Sequence, residues 1–262
     1  MVAVADPSRP LLEARGVTKR FGQVEALKGV DIEVHAGSVV ALLGDNGAGK
    51  STFVKIIAGV HQPDSGEIWF DRQRVNITSP KVAGSLGIET VYQDLALCDN
   101  LSVVQNLFLG RERRMPDMPW LGRFLASDRM EKEASQVFAQ LGVELPSLSI
   151  RIGAMSGGQR QAVAVARAVI WGSRLVMLDE PTAALGVQQT ANVHKLIRRL
   201  RDQGAGIVLI THNLADAFAL ADLLFVLRHG RRVARIDPKR STPDEVIGAI
   251  TGTSFAELSR AS

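Results

Sequence analysis

Apolar positions along the chain follow two rhythms, and their alternation predicts a layered α/β protein. Val39-Val40-Ala41-Leu42-Leu43, Leu175-Val176-Met177-Leu178 and Ile207-Val208-Leu209-Ile210 are short runs with no polar residue. Such runs mark strands buried on both faces of a sheet. Leu223-Leu224-Phe225-Val226-Leu227 is a further one. Leu11 to Val17 and Val24 to Val34, with Phe21-Gly22 between them, instead alternate apolar and polar residues in the manner of half-exposed strands. Helical spacing fills the intervals. One helix runs from Ser51 to Ala58 and stops at Gly59, one opens at Ser156-Gly157 and runs to about Trp171, and one spans Gln188 to Gln203. The last is amphipathic, with Val193, Leu196, Ile197 and Leu200 inward. Strands separated by helices imply parallel pairing through right-handed crossovers, with a ligand at the carboxyl ends of the strands.

Shorter signals fit into this frame. Gln62 to Gly66 is a turn before the strand Glu67 to Phe70, Ser79-Pro80 reads as an N-cap with proline at the first helical position, and Ile88 to Tyr92 is a strand ending at Gln93. From Asp94 to about Val163 the β-type runs stop. Met130, Ala134, Val137, Phe138 and Leu141 share one helix face, with Asp128 and Glu131 expected as a capping box and Gly142 as the stop. Between Arg111 and Phe124 lies a Pro- and Gly-punctuated loop with exposed-looking Met115, Met118 and Trp120. The stretch reads as a helical insert. Thr242-Pro243 opens one more helix before a polar tail.

Composition narrows the class. With 262 residues and 46% hydrophobic content, the chain can bury a substantial core. Its net charge of +4 is mild, and the clusters Arg111 to Arg114 and Arg198 to Arg201 read as solvated faces rather than a nucleic-acid groove. Cys98 is the only cysteine, which excludes an internal disulfide and a cysteine-built zinc site. No secretory signal and no bilayer-spanning apolar run is seen, so a soluble, cytoplasmic protein is expected.

Two stretches carry chemistry. Gly44-Asp45-Asn46-Gly47-Ala48-Gly49-Lys50-Ser51-Thr52 fits the phosphate-loop pattern G-x-x-x-x-G-K-[ST] between a buried strand and a helix. Glycines let successive N–H groups turn inward on an anion, and the helix dipole adds positive potential. Lys50 would reach the β- and γ-phosphates, and the Ser51 hydroxyl would bind Mg²⁺. In the second stretch, Asp179 and Glu180 end a buried apolar strand, where a carboxylate is costly without a cation or hydrogen bonds. Asp179 is placed to hold Mg²⁺ directly or through water, and Glu180 to orient or deprotonate the attacking water.

Met155-Ser156-Gly157-Gly158-Gln159-Arg160-Gln161 resembles the LSGGQ signature of the ATP-binding cassette ATPases, with Met155 in place of the usual leucine. Gln93 matches that family's Q-loop, His212 its switch histidine and Phe21 the aromatic that stacks on adenine, all in the family's order from about residue 11 to 235. The resemblance implies a P-loop NTPase core with a mostly parallel sheet, an N-terminal antiparallel β subdomain and an inserted helical subdomain. Residues 1–262 would form one ATPase domain, with 11–93 and 164–238 as nucleotide-binding core, 94–163 as helical signature subdomain and 239–262 as C-terminal helix and tail.

The resemblance also implies that two chains sandwich two ATP molecules, each held by one subunit's phosphate loop and the other's Ser156, Gly157, Gly158 and Gln159. His212 would donate to the γ-phosphate, and Gln93 would bind Mg²⁺ or the attacking water while joining core to insert. Gly186 stands where the family often has aspartate, although Ala184-Leu185-Gly186-Val187 resembles the variant in ATPases of bacterial monosaccharide importers. The expected partners are a second copy, membrane-embedded permease subunits on the cytoplasmic face and, indirectly, a solute-binding protein, with no nucleic acid. Docking is expected over roughly Asp94 to Trp120, where Leu95, Leu97, Leu101 and Leu107 need an internal or external partner. The rival readings are a cassette ATPase acting on DNA or the ribosome, a switch that hydrolyses negligibly, and an exporter subunit.

Overall fold

The computed structural model describes residues 9–115 and 125–253, so Met118, Trp120 and the polar tail lie outside the described residues. In chain order the elements run β1 (Leu12–Phe21), β2 (Val24–Val34), β3 (Val39–Leu43), α1 (Lys50–Ile57), β4 (Ser65–Phe70), β5 (Gln73–Val75), α2 (Pro80–Ser85) and β6 (Ile88–Val91). Then come α3 (Val103–Phe108), α4 (Ser127–Leu141), α5 (Gly157–Ile170), β7 (Leu175–Asp179), α6 (Val187–Asp202), β8 (Gly206–Ile210) and α7 (Leu214–Leu220). β9 (Leu223–Arg228), β10 (Arg231–Ile236) and α8 (Pro243–Thr251) close the described chain. Internal contacts divide the described residues into two units, one of 9–90, 174–180 and 200–253, the other of 91–115, 125–173 and 181–199.

The first unit carries the sheets. Four strands pair in the order β2-β1-β4-β5, all antiparallel, and six in the order β10-β9-β3-β8-β7-β6. In the larger sheet β3 pairs parallel with β8 and β9, and β7 parallel with β8. Every residue of β3 and β8 is buried, as their apolar runs require. Each such Val, Leu or Ile contributes about 1.5–3 kcal/mol relative to exposure. Phe53, Ile56 and Ile57 of α1 join Leu12, Val30, Leu42 and Phe225 in one core. β10 is a strand that apolar patterning does not reveal, since Arg231, Arg232 and Arg235 break its run. It is an edge strand antiparallel to β9, where charge blunts unwanted pairing.

In the second unit α3, α4 and α5 pack on one another. α4 buries Met130, Ala134, Val137, Phe138 and Leu141 and ends at left-handed Gly142 (φ 56°), as expected. Its start differs. Ala126 is the N-cap and no side chain caps the helix, so Asp128 and Glu131 form no capping box. The Ala126 N–H is taken by the Arg113 carbonyl at 2.8 Å, which sets the entry two residues early and leaves Asp128 in the first turn, where it complements the helix dipole. Buried Asn106 ties down the segment before α3: it accepts from the Cys98 N–H at 2.7 Å and donates to the Cys98 and Ser102 carbonyls, each at 3.0 Å. Of the insert leucines, Leu107 is buried while Leu95, Leu97 and Leu101 are half-buried. Among the described residues no helix is long and apolar enough to cross a membrane.

Candidate functional site

Parallel register brings the chemistry of the first unit to one edge of the sheet. Leu42 pairs with Ile210 and Leu43 with Val226, while Asp179 pairs with Ile210. The phosphate loop after β3, Asp179-Glu180 at the end of β7, Thr211-His212 after β8 and His229 after β9 therefore emerge together.

The loop is shaped by two glycines. A Cβ on Gly44 (φ 145°) would run into the Leu227 carbonyl, and one on Gly49 (φ 108°) would lie 2.7 Å from the Ala26 carbonyl oxygen. Gly49 is the N-cap of α1 and has no side chain to satisfy the first N–H groups, which stay available to an anion. Lys50 Nζ donates to the Gly44 and Asp45 carbonyls at 2.7 and 3.1 Å. Burial pushes the Lys50 pKa down, against the carboxylates of Glu180, Asp179 and Asp45. A cleft of about 470 Å³ opens over the loop, lined by Asn46 to Thr52 together with Val24, Glu25, Ala26, Lys28 and His229. Lys28 and His229 carry no sequence signal of their own. His229 sits at φ 49° in the turn before β10, a strand the pattern does not reveal.

Asp179 is half-buried, and its carboxyl is raised above the usual range first by burial and then by the neighbouring charge of Glu180. Glu180 is bent into the left-handed region at φ 50°, uncommon for a residue with a side chain and the kind of strain that gathers at functional sites. Its N–H donates to the Ile210 carbonyl at 2.9 Å, which anchors the bend. Its Oε1 accepts from the His212 backbone N–H at 3.0 Å and lies 2.8 Å from His212 Nδ1, and Thr211 Oγ1 donates to Oε2 at 3.4 Å. An ionised carboxylate only accepts, so Nδ1 carries the hydrogen in this pair. Phe21, the last residue of β1 rather than a linker residue, is 43% exposed.

The other expected site residues belong to the second unit. Gln93 is exposed. The turn after it holds Leu95 and Ala96 at φ 58° and 45°, and Arg167 of α5 donates to both of their carbonyls, at 3.2 and 2.8 Å. Ser156 is the N-cap of α5: its Oγ accepts from the Gln159 N–H at 3.3 Å, and Gln159 Oε1 accepts from the Ser156 N–H at 2.9 Å. A Cβ on Gly158 would lie 3.3 Å from Gln189 of α6, and one on Gly157 3.1 Å from Leu185 just before it, so both glycines permit close approach of the start of α6. Gly186 caps α6: its carbonyl accepts from the Thr190 N–H at 2.9 Å, and the Gln189 side chain accepts from its N–H at 3.1 Å. Glycine costs only a few tenths of a kcal/mol against aspartate at an N-cap, so the local helix start tolerates the departure. Ser156, Gly158 and Gln159 also line a cavity of about 520 Å³, together with Gln189, Asn192 and Arg199.

Among the described residues no three His, Cys, Asp or Glu side chains cluster to hold a metal by themselves. Ser51 and Asp179 instead fit the Mg²⁺ habit of few protein ligands completed by substrate phosphates and water.

Comparison with known proteins identifies the family and the fold. The family described as ABC transporter matches residues 27–183. The xylose/arabinose import ATP-binding protein of Sulfolobus acidocaldarius is 42% identical over 95% of this chain and 96% of its own length. The fructose import ATP-binding protein of Rhizobium meliloti is 45% identical over 93% and 94%. Among solved structures, a nucleotide-free ATP-binding cassette from an ABC transporter, 23% identical, shares the fold with a TM-score of 0.76 over 95% of this chain and 98% of its own. A dimeric cassette in a post-hydrolysis state, bound to ADP and Pi, is 25% identical with a TM-score of 0.72 over 88% and 100%. The chain belongs to the ABC transporter family, as one of its ATP-binding, ATP-hydrolysing cassettes.

Proposed function

We propose that the chain is the ATPase subunit of a monosaccharide importer, that it works as a homodimer at the cytoplasmic face of the membrane, and that permease subunits and a solute-binding protein complete the system. The sugar class is supported by the relatives at 42% and 45% identity, one named for xylose and arabinose import, the other for fructose import. The observation that carries the hydrolytic part is the Glu180 carboxylate, held by the His212 N–H and ring at the edge where the phosphate loop emerges.

In this reading the loop from Gly44 to Thr52 cradles the phosphates, and Lys50 leaves its two carbonyl partners for the β- and γ-phosphate oxygens. Phe21 supports the base. Ser51, Asp179 and Gln93 would hold Mg²⁺, which neutralises phosphate charge when bound. Glu180 orients or deprotonates the attacking water. His212 has a constraint of its own. With Nδ1–H on Glu180, a neutral ring leaves Nε2 as an acceptor. Donation to a γ-phosphate therefore requires the imidazolium or a turn of the ring away from Glu180. Ser156 to Gln159 present the N-terminus of α5, and in this reading they meet the nucleotide of the second copy. The core of 11–93 and 164–238, the helical segment 94–163 and the end at 239–262 are the proposed functional divisions.

Phosphate release measured across a dilution series tests the dimer. Specific activity should fall as protein is diluted below the association range and recover with permease in vesicles. Constant specific activity in a strictly monomeric preparation would overturn the shared site.

A further inference from the structure

We infer that the turn after α1 positions Phe21 for the nucleobase, with His61 and Asp64 as the positioning residues; this rests on the reading of Phe21 as the base platform. A half-exposed phenylalanine at a strand end is ordinarily free to change rotamer, and fixing it in advance lowers the ordering cost of binding. Here two groups brace the ring. The His61 ring meets it edge-on, with centroids 5.1 Å apart and planes at 68°, and Lys19 Nζ lies 5.6 Å from its centroid.

The braces are themselves held. Lys19 Nζ donates to Asp64 Oδ1 at 2.7 Å, and the Arg20 N–H to Asp64 Oδ2 at 2.6 Å. The Asp64 N–H donates to the Thr18 carbonyl at 2.9 Å, and the Thr18 and Ser65 hydroxyls bond at 2.7 Å. Each of the three residues before Phe21 is thus gripped by Asp64 or Ser65. The Lys19 ammonium and the Arg20 amide hold the Asp64 carboxyl below the usual range, so the carboxylate stays charged as a brace. At its other end the turn is fastened to α1, where the Val60 and His61 N–H groups donate to the Lys55 carbonyl at 2.8 and 3.1 Å. The helix that starts at the phosphate loop therefore ends in the support of the base platform. One rigid piece sets the separation between the two ends of the nucleotide.

Equilibrium binding of ATP and of inorganic tripolyphosphate, which has no base, tests this on the full chain. Phe21→Ala should weaken ATP and spare tripolyphosphate. His61→Ala should do the same by about threefold to tenfold, the range of an aromatic pair. The same variant should raise KM for ATP while kcat stays within about twofold, and His61→Phe, which keeps the edge contact, should restore affinity. Asp64→Asn should act in the same direction and more weakly. If Phe21→Ala binds both ligands like the parent, the base-platform reading falls and takes the inference with it. If Phe21→Ala loses ATP selectively and His61→Ala does not, the positioning role alone is overturned. Equal weakening of both ligands by His61→Ala would assign the turn to the phosphate loop and also overturn it.

Discussion

The residues proposed to meet the nucleotide are held differently in the two units. In the first, charge is held under burial that works against it: the Lys50 pKa is pushed down and the Asp179 carboxyl up, both chiefly by desolvation, and Glu180 is bent to φ 50°. In the second, the corresponding residues satisfy one another. Ser156 and Gln159 exchange both hydrogen bonds of a capping box, and Gln189 covers the Gly186 N–H. A group that is uncomfortable in the free chain gains when a ligand arrives. A group already satisfied adds little of its own and offers chiefly the dipole of its helix. In the proposed dimer the first unit would bind the nucleotide and the second would be met by that of the other copy.

The strongest way to break this contrast is at Glu180. Glu180→Gln keeps the shape and removes the proposed base, so turnover should fall by about 10² to 10⁴-fold, the usual contribution of a positioned acid or base. ATP binding should persist, and size-exclusion chromatography with ATP should show a trapped dimer. A monomer under saturating ATP would leave the second unit with nothing to meet. Lys50→Ala comes next. Removing a preorganised donor from the phosphates should slow turnover by about a hundredfold or more and weaken ATP binding. Unchanged turnover would take Lys50 out of the mechanism.

Ser156→Ala sharpens the other half of the contrast. The cap satisfies α5 in the free chain, so its loss should cost about 1 kcal/mol and lower Tm by roughly 2–4 °C, read by calorimetry without nucleotide. An unchanged Tm would mean that the capping box carries no weight in the free chain.

How far the sequence reaches follows the same physics. β3, β7 and β8 are legible because strands buried on both faces admit only apolar residues, and the phosphate loop because its glycines and lysine are fixed in spacing. The clasp of Glu180 by His212 is not, because it depends on parallel register between β7 and β8 and on a left-handed bend at Glu180. β10 hides because an edge strand needs charge more than alternation. The capping box expected at Asp128 fails because a tertiary bond, the Ala126 N–H to the Arg113 carbonyl, decides where α4 begins. The brace around Phe21 joins His61 and Asp64 to β1 across chain separations that local patterns do not span.

The smallest effect expected is also the most discriminating, because its sign is opposite to that at Ser156. Burial raises the Asp179 pKa in the folded chain above its unfolded value. The folded state then holds this proton more tightly than the unfolded state does. Stability from the site is full below the unfolded pKa and is lost as pH rises through the folded one, so at neutral pH the ionised carboxylate costs stability. Asp179→Asn removes that cost. In nucleotide-free protein Tm should rise at pH 7 by about 1–2 °C, a modest value because the group is partly solvated. The gain should vanish below about pH 4, where the parent carboxyl is protonated too. Added Mg²⁺ and ATP should reverse the order of the two proteins, since only the parent retains the proposed ligand. If Asp179→Asn lowers Tm at every pH without nucleotide, the carboxylate is held by the fold rather than opposed by it. The two units would then be alike in the respect that separates them here.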